Sequence, residues 1–187
     1  MEISEALPEY RRYTYEDYCS WDDDKRWELI DGVPYEMSAP SQAHQEIIGG
    51  LHYQFYSFLK DKPCKVFIAP FDVRLNADTR DDIVVQPDLL VVCDKEKLDG
   101  KSCVGAPDMV IEILSKSTAM RDKIIKFRRY LQADVREYWI VEPDEKVVSV
   151  NVLKNGEYVA NAYGSEDVIP VHVLEGCVIN LSEVFEE

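Results

Sequence analysis

The sequence predicts a mixed α/β (α+β) fold, in which helices flank a central mixed β-sheet. Its 187 residues suit a single domain, residues 1–187, with one hydrophobic core. Two long stretches place apolar residues at helical spacing, and several short apolar runs between turn residues are typical of strands. The unit from "IEIL" (111–114) through a helix to "EYWIV" (137–141) is typical of a β-α-β crossover, whose strands normally lie parallel.

The first half of the chain predicts two helices separated by a hairpin. "YTYEDYCSW" (13–21) predicts a short helix with Thr14 and Asp17 as a capping box, and Asp31-Gly32 predicts a tight two-residue turn. A long helix is expected to begin after Ser41 as its N-cap. Gly49-Gly50 within it costs about 1 kcal/mol per residue relative to alanine, so we expect close packing there. Its apolar stripe comprises Ile47, Ile48, Leu51, Phe55, Phe58 and Leu59.

The second half predicts strands around one further long helix. That helix covers "STAMRDKIIKFRRYLQAD" (117–134), with Ser117 or Thr118 as its cap. A hairpin is expected at Asn155-Gly156, and a helical turn in "LSEVFEE" (181–187). The predicted strands lie in "KVFIAPFDVRLNAD" (65–78, one or two strands broken at Pro70), "IVVQPDLLVVCD" (83–94), "DMVIEIL" (108–114) and "REYWIVEP" (136–143).

Composition indicates a soluble globular protein, with 46% hydrophobic and 30% charged residues. No apolar run approaches the roughly 20 residues that span a bilayer, and the N-terminus does not resemble a secretory signal. We therefore expect no membrane association and a cytoplasmic location. The cysteines are odd in number, and no two have C-x-x-C spacing, so we expect reduced thiols without a disulfide or a zinc site. They are Cys19, Cys64, Cys93, Cys103 and Cys177.

The net charge of −15 argues against a protein that binds nucleic acid indiscriminately, because the phosphate backbone would be repelled by the average surface. The charge is uneven, however, since the segment from Lys116 to Arg136 has seven basic and two acidic residues. Such a segment is often only a solvated helix face. Its excess of +5 is nevertheless modest evidence for an anionic partner.

Two carboxylates interrupt apolar strands, Asp88 in "VVQPDLLVV" and Glu112 in "MVIEIL". A buried carboxylate is costly unless it is paired, protonated or bound to a metal. If the two strands are neighbours, both side chains converge, and with a main-chain carbonyl and waters they would form an oxygen-rich site for Mg²⁺ or Mn²⁺. The alternative is that each acid lies at a strand end and is solvated.

These strands resemble the PD-(D/E)XK nuclease superfamily, in which Pro-Asp opens one strand and Glu-x-Lys lies on the next. The closer resemblance is to the Uma family of restriction endonuclease-like proteins, and it covers roughly residues 10–185. It implies a restriction endonuclease-like fold and a Mg²⁺-dependent (or Mn²⁺-dependent) endonuclease that hydrolyses DNA. It also implies a homodimer, as in much of the superfamily. The segments that carry the resemblance are "WELIDG" (27–32), His44, "PDLLVV" (87–92), "EILSKST" (112–118), Asp122, Lys126, Tyr130 and "EYWIVEP" (137–143).

One position departs from the superfamily pattern, because Leu114 stands where the motif has lysine. The resemblance points to Lys126 as a migrated catalytic lysine, with Lys123 as second choice and Lys116 as a further candidate. The alternative for Lys126 is a surface ion pair with Asp122, worth about 0.3–0.5 kcal/mol. At about 100° per residue, the predicted core face of this helix comprises Met120, Ile124, Phe127 and Leu131.

The resemblance adds Glu28 to the metal ligands, beside Asp88, Glu112 and the main-chain carbonyl near Ile113. For Glu28, an exposed strand glutamate is an equal alternative. His44 could contact phosphate or water, although a structural role is the expectation for it. Structural roles are also expected for His52, His172 and Asp108.

Two functional hypotheses remain open. The first is a metal-dependent endonuclease in which Asp88 and Glu112 hold Mg²⁺ and Lys126 stabilises charge on the phosphate. The second is a catalytically inactive relative that acts as a binding or interaction module, with Leu114 recording the lost chemistry. The sequence shows no separate specificity domain.

Overall fold

The computed structural model describes residues 11–115 and 118–185, and it has the mixed α+β architecture predicted from the sequence. Lys116 and Ser117, named above as a lysine candidate and a helix cap, lie outside the described residues. The described chain forms two mixed sheets and a two-stranded ribbon, with few helices.

The helices lie close to their predicted positions. The short first helix has the expected capping box between Thr14 and Asp17, and the Ser41 hydroxyl accepts a hydrogen bond from the His44 N–H at the start of the second. The third begins as a π-helix, Arg121–Lys126, and continues directly as an α-helix. The α-helices are α1 (Tyr15–Cys19), α2 (Gln42–Leu59) and α3 (Phe127–Gln132), with 3₁₀ turns at Lys95–Lys97 and Leu181–Glu183.

The strands follow in chain order, and both predicted hairpins form. Asp31 and Gly32 have φ angles of 54° and 74°, and Asn155 and Gly156 have 52° and 82°, as two-residue turns with positive φ at both positions require. The strands are β1 (Trp27–Ile30), β2 (Val33–Glu36), β3 (Lys65–Ile68), β4 (Asp72–Arg74), β5 (Val84–Val85), β6 (Leu89–Val92), β7 (Ser102–Val104), β8 (Met109–Ile113), β9 (Glu137–Glu142), β10 (Val147–Lys154), β11 (Glu157–Gly164), β12 (Val168–Pro170) and β13 (Val178–Asn180).

The six-stranded sheet has the order β11-β10-β9-β8-β6-β3. Its only parallel pair is β8 with β9, which the third helix connects, so the predicted β-α-β crossover is confirmed. Strands β6 and β8 are antiparallel neighbours, with Leu90 opposite Val110. The two strands that carry the predicted acids therefore lie side by side.

The five-stranded sheet has the order β2-β1-β5-β4-β7. One of its strands comes from a segment that was expected to form a single strand. "IVVQPDLLVVCD" instead forms two strands, β5 in this sheet and β6 in the other. Pro87 lies between them and has no N–H to continue a ladder, so the chain leaves one sheet there and joins the other. This transition places Gln86, Pro87 and Asp88 between the two sheets.

Two buried clusters cover opposite faces of the six-stranded sheet. One contains Leu89 and Ile111 and packs beneath α2, and the other contains Leu90 and Val110 and packs against the third helix. Close packing of α2 occurs at Gly50, where an added Cβ would lie 3.3 Å from the Val184 Cα, whereas Gly49 has open space around it. Among residues 11–115 and 118–185, no helix combines the length and apolar character that a bilayer span requires.

The expectation of unpaired cysteines is wrong for Cys64 and Cys93, which form a disulfide bond. The pairing of β3 with β6 sets Lys65 opposite Val92, so one step further along the ladder the two cysteines face each other. Their separation of 29 residues conceals this contact, because only the strand pairing brings them together. Cys19, Cys103 and Cys177 are free.

Candidate active site

The register of the central strands brings the two predicted acids together. Leu89 of β6 lies opposite Ile111 of β8, so continuing the antiparallel ladder by one residue sets Asp88 opposite Glu112. Residues directly opposite each other project from the same face of a sheet. Both carboxylates therefore face the third helix, on the side of the sheet that carries Leu90 and Val110.

Asp88 lies at the entrance of the site, with its side chain 15% exposed. The Ile113 N–H donates a hydrogen bond of 2.7 Å to its Oδ2, and Nε2 of His44 lies 3.0 Å from its Oδ1. The N–H and C=O of one strand residue point to the same side, so the Ile113 carbonyl also faces the Asp88 edge. His44 therefore contacts a candidate metal ligand.

Lys126 lies at the centre of the acidic groups and is almost completely buried. Its Nζ is 2.7 Å from Oε1 of Glu28, 2.9 Å from Oε1 of Glu112 and 3.4 Å from Oδ1 of Asp122. The Asp122–Lys126 pair exists, but the alternative of a surface pair is wrong because both side chains are only 3% exposed.

Glu28 is fully buried, so the alternative of an exposed strand glutamate is wrong. The main-chain N–H of Gln86 donates to its Oε1 at 2.9 Å. Its Oε2 has no hydrogen-bond donor among the described residues, and Nε of Arg121 lies 3.8 Å from it. The segment between the two sheets thus supplies one neighbour of this carboxylate through Gln86, and the third helix supplies the others.

The predicted core face of the third helix is wrong in its first half. Met120 and Ile124 are 76% and 49% exposed, whereas the polar stripe of Asp122, Lys126 and Tyr130 is buried. A period of 3.6 residues cannot describe this segment, because Arg121–Lys126 is π-helical. This stripe can be buried although it is polar, because groups on the facing strands interact with its charges. The spacing of hydrophobic residues does not detect such partners.

Tyr130 contacts the site, although only the family resemblance had singled it out. Its hydroxyl donates a 2.7 Å hydrogen bond to Oε1 of Glu112, the same oxygen that Lys126 approaches. Both interactions use Oε1, so Oε2 of Glu112 stays available to another ligand. The one sequence signal for this contact was the spacing of four residues between Lys126 and Tyr130, which puts both side chains on one helix face.

Burial shifts several pKa values in this cluster. Burial raises the pKa of Glu112 well above its ordinary value, and Lys126 only partly opposes this shift. Burial also raises the pKa of Asp122. Burial alone would lower the pKa of Lys126, but the adjacent Glu112, Glu28 and Asp122 carboxylates together raise it well above the ordinary value. Lys126 is therefore a permanent cation at neutral pH.

Counting charges shows an acidic excess in the buried cluster. Asp88, Glu112, Glu28 and Asp122 supply four carboxylates, whereas Lys126 and Arg121 supply two cations. With all of these groups ionised, the cluster would have a net charge of −2. Burial opposes such an excess, so bound protons or a divalent cation are the physical ways to neutralise it.

Lys123 and Leu114 lie apart from this cluster. The Lys123 ammonium is 2.7 Å from Oε2 of Glu142, and its side chain is 42% exposed. Leu114 belongs to an apolar cluster. Asp108 accepts a hydrogen bond from the Cys93 N–H and pairs with Arg136, as a structural turn residue would.

A cavity of about 520 Å³ opens over the cluster. Within the described residues, no group of three or more acidic, histidine or cysteine side chains has the arrangement of a metal site. The three predicted carboxylates, Asp88, Glu112 and Glu28, therefore do not form such a group by themselves, and the smaller pair of Asp88 and Glu112 would depend on the main-chain carbonyl of Ile113. The cavity is lined by the predicted residues Glu28, His44, Asp88, Glu112, Ile113, Lys123 and Lys126, and also by Arg26, Arg121 and Asp122.

A search of solved structures finds the same fold in a nuclease candidate. The crystal structure described as "a putative nuclease belonging to DUF820 from Anabaena variabilis ATCC 29413" matches with a TM-score of 0.74, covering 92% of this chain and 97% of that one. The identity is 17%, so the match establishes the fold, and it confirms the predicted fold class.

Sequence comparison finds a family and a curated relative. "Uncharacterized protein slr1290" of Synechocystis sp. (strain ATCC 27184 / PCC 6803 / Kazusa) is 30% identical over 117 residues, which are 62% of this chain. The match spans 60% of the length of that relative. The family model for Uma2, described as "Putative restriction endonuclease", matches residues 13–182. The chain therefore belongs to the Uma2 family of restriction endonuclease-like proteins, as its sequence motifs predicted.

Proposed function

We propose that this protein is a Mg²⁺-dependent endonuclease that hydrolyses DNA phosphodiester bonds. The observation that carries the proposal is the buried Lys126, whose ammonium contacts Glu28 and Glu112 beneath an open cavity. A lysine next to a glutamate is the combination that the superfamily motif supplies from a single strand, as Glu-x-Lys. In this chain the third helix supplies it, so Leu114 need not mean lost chemistry.

The chemistry of the donor set fits Mg²⁺ or Mn²⁺. Asp88, Oε2 of Glu112 and the carbonyl of Ile113 would hold the cation, with water completing its shell and Glu28 as a further oxygen ligand. Support comes from the acidic excess and from the buried Oε2 of Glu28, which has no hydrogen-bond donor among the described residues. Such an ion, when bound, would polarise phosphate oxygens and lower the pKa of a water molecule.

The protein's own groups have separate tasks in this proposal. Lys126 stays protonated, so it acts as a positive charge and hydrogen-bond donor toward the phosphate and not as a base. Tyr130 and Lys126 hold Oε1 of Glu112, which fixes the direction of its second oxygen. His44 and the Ile113 N–H hold the two oxygens of Asp88, His44 at Oδ1 and the N–H at Oδ2. One water adds across the phosphodiester bond, giving a phosphate monoester and a hydroxyl end.

DNA is the proposed substrate because the matched family is described as a restriction endonuclease. The third helix also contributes the basic residues Arg121 and Arg128 to an otherwise acidic chain. The alternative, an inactive binding module, is favoured by the net charge of −15. That alternative leaves the buried lysine–carboxylate cluster without a purpose.

The test is cleavage of plasmid and linear DNA with Mg²⁺ or Mn²⁺ by the wild type, Lys126→Met and Glu112→Gln. We expect cleavage by the wild type and by the control variant Lys123→Met, and none by Lys126→Met or Glu112→Gln. If the protein binds DNA but neither the wild type nor any variant cleaves it with either metal, the binding module is favoured instead.

We further propose a homodimer. Strand β11 ends the six-stranded sheet, and Val159, Ala160, Asn161 and Ala162 in it are exposed and uncharged. An unpaired strand edge of this kind can pair with a second chain. Sedimentation analysis of the wild type and a Val159→Lys variant tests this, with a concentration-dependent dimer lost in the variant as the expected result.

A further inference from the structure

A second cavity, of about 270 Å³, lies beside the third helix and is rich in arginine. Arg12 approaches from the N-terminal segment, and Arg128 and Arg129 come from α3. Among the residues that the structure describes, Asp31 is the only carboxylate in the lining. With their ionisable groups charged, these described lining residues have a net charge of +2 in a chain of net charge −15.

The contacts of Asp31 leave most of this positive charge unbalanced. Its carboxylate pairs with Nη2 of Arg129, whereas Arg12 donates to its main-chain oxygen. Among the described residues, no carboxylate pairs with Arg128, and the buried Nε of Arg129 has no hydrogen-bond partner. Guanidinium donors are therefore available to an external anion.

This arginine cavity adjoins the candidate active site through two side chains. Tyr35 lines the arginine cavity and lies opposite Glu28 in the β1–β2 ladder. The guanidinium of Arg121 lies 5.4 Å from the centre of the Tyr35 ring, and its Nε is 3.8 Å from Oε2 of Glu28. A strand crossing Tyr35 and Arg121 would therefore pass from one cavity to the other.

We propose that the arginine cavity binds a phosphate of the same nucleic-acid strand that enters the active site, within a few nucleotides of the hydrolysed bond. The proposal rests on the proposed function for the existence of that strand. Arginine suits this task because its planar donors match two phosphate oxygens at once. Arg128 follows Arg121 by seven positions, at most about 10 Å along the helix axis at the α-helical rise of 1.5 Å per residue, which a short stretch of backbone can span.

The walls of the cavity also suit a nucleotide. Ile124 and Ile125 line it beside Tyr35, and Ile124 is 49% exposed. These apolar surfaces can contact a sugar or base while the arginines bind the phosphate. The cavity would thus fix the position of the strand on an enzyme whose remaining surface repels it.

The test compares oligonucleotide binding by the wild type, an Arg12→Gln/Arg128→Gln variant and an Arg11→Gln/Arg80→Gln control. The control removes the same charge from two exposed arginines outside the cavity, each with a side chain 71% exposed. Binding of single- and double-stranded oligonucleotides is measured at several salt concentrations, in EDTA and again with Ca²⁺. Arg129 stays unchanged because it holds Asp31.

We expect the cavity variant to bind about tenfold more weakly than the control. Its slope of log affinity against log salt should fall by about 0.7–0.9 for each lost phosphate contact. Equal affinity and slope for the two variants would overturn the proposal, as would a wild type that binds neither oligonucleotide in either buffer.

Inorganic phosphate and pyrophosphate serve as probes for the alternative source of the same anion. If phosphate and pyrophosphate bind at these arginines but an oligonucleotide does not, the cavity is a site for a free anion and the proposal is overturned. The readout is binding, so its failure differs from failure of the proposed function. If the strand binds through the arginines but is not cleaved, only the proposed nuclease reaction is overturned.

Discussion

The ammonium of Lys126 lies 2.9 Å from Oε1 of Glu112, although 14 residues of chain separate them. The strand of Glu112 has Leu114 two residues later, at the position where its superfamily motif has lysine. The helix that follows returns across the sheet and supplies the charge from its π-helical segment. Under the proposed function, Lys126 would therefore take the part that the linear motif gives to a lysine on the strand itself.

Replacing Lys126 by methionine should destabilise the fold and abolish cleavage. The variant leaves Glu28, Glu112 and Asp122 buried without their shared cation, so we expect a loss of about 3–5 kcal/mol in the free energy of unfolding. Urea unfolding measures the stability, and nuclease assays at a temperature where the variant is folded measure the activity.

Lys123→Met is the matched control for this experiment. The partly exposed Lys123–Glu142 pair should contribute less than about 1 kcal/mol, and its loss should leave cleavage largely intact. If Lys123→Met were inactive and Lys126→Met active, the two lysines would have to exchange roles.

Removing either central carboxylate should abolish metal binding without any need for a known substrate. In a calorimetric Mn²⁺ titration, we expect Asp88→Asn and Glu112→Gln to bind at least about tenfold more weakly than the wild type. Asp108→Asn is the control, because this acid lies just before β8, accepts a hydrogen bond from the Cys93 N–H and does not line the cavity. Binding that is unchanged in both site variants would exclude Asp88 and Glu112 as metal ligands.

Tyr130→Phe should weaken the site while leaving the hydrophobic packing in place. The lost hydrogen bond to Glu112 is buried, so we expect a cost of about 1–2 kcal/mol in stability and a weaker affinity for Mn²⁺. In Tyr158→Phe, the hydroxyl lost is bonded to the Val135 carbonyl, so stability should fall by a similar amount with normal Mn²⁺ affinity. Equal Mn²⁺ affinity in both variants would mean that Tyr130 is only structural.

Much of the fold was predictable because local signals agreed with the final structure. The Asp31-Gly32 turn, the Ser41 cap and the strand of Glu112 follow from residues within a few positions of each other. The division of "IVVQPDLLVVCD" between two sheets was not predictable, because it depends on which neighbours β5 and β6 find. The Cys64–Cys93 disulfide was missed for the same reason.

The candidate site was predictable where strand alternation decides direction and unpredictable where tertiary charges decide burial. Asp88 and Glu112 share a face because residues that lie directly opposite each other in antiparallel strands project to the same side of the sheet. On the third helix, hydrophobic spacing selected Met120 and Ile124 as core, yet both are exposed. Asp122 and Lys126 take the buried positions because Glu28 and Glu112 lie there to balance the lysine. Sequence periodicity contains no information about such a partner on another strand.

Stability should depend on pH through Glu112, whose pKa burial raises above its ordinary 4.5. The folded state then binds this proton more tightly than the unfolded state, so the associated stability is present below about pH 4.5 and is lost as pH rises through the raised pKa. Glu112→Gln cannot ionise, so it should gain stability relative to the wild type over this range, by at most about 1.4 kcal/mol per pH unit. The difference also includes the interaction of Glu112 with its charged neighbours, because Lys126 lowers the pKa of Glu112 and Asp122 raises it.

Thermal unfolding from pH 5 to 9 in EDTA measures this difference, and added Mg²⁺ extends it. Because a metal ligand must be deprotonated, Mg²⁺ should raise the Tm of the wild type more at high pH than at low pH, and that of Glu112→Gln little at any pH. A stability difference that stayed constant from pH 5 to 9 would contradict a titration of Glu112 within this range. An equal effect of Mg²⁺ on the Tm of the wild type and of Glu112→Gln would contradict Glu112 as a ligand of the cation.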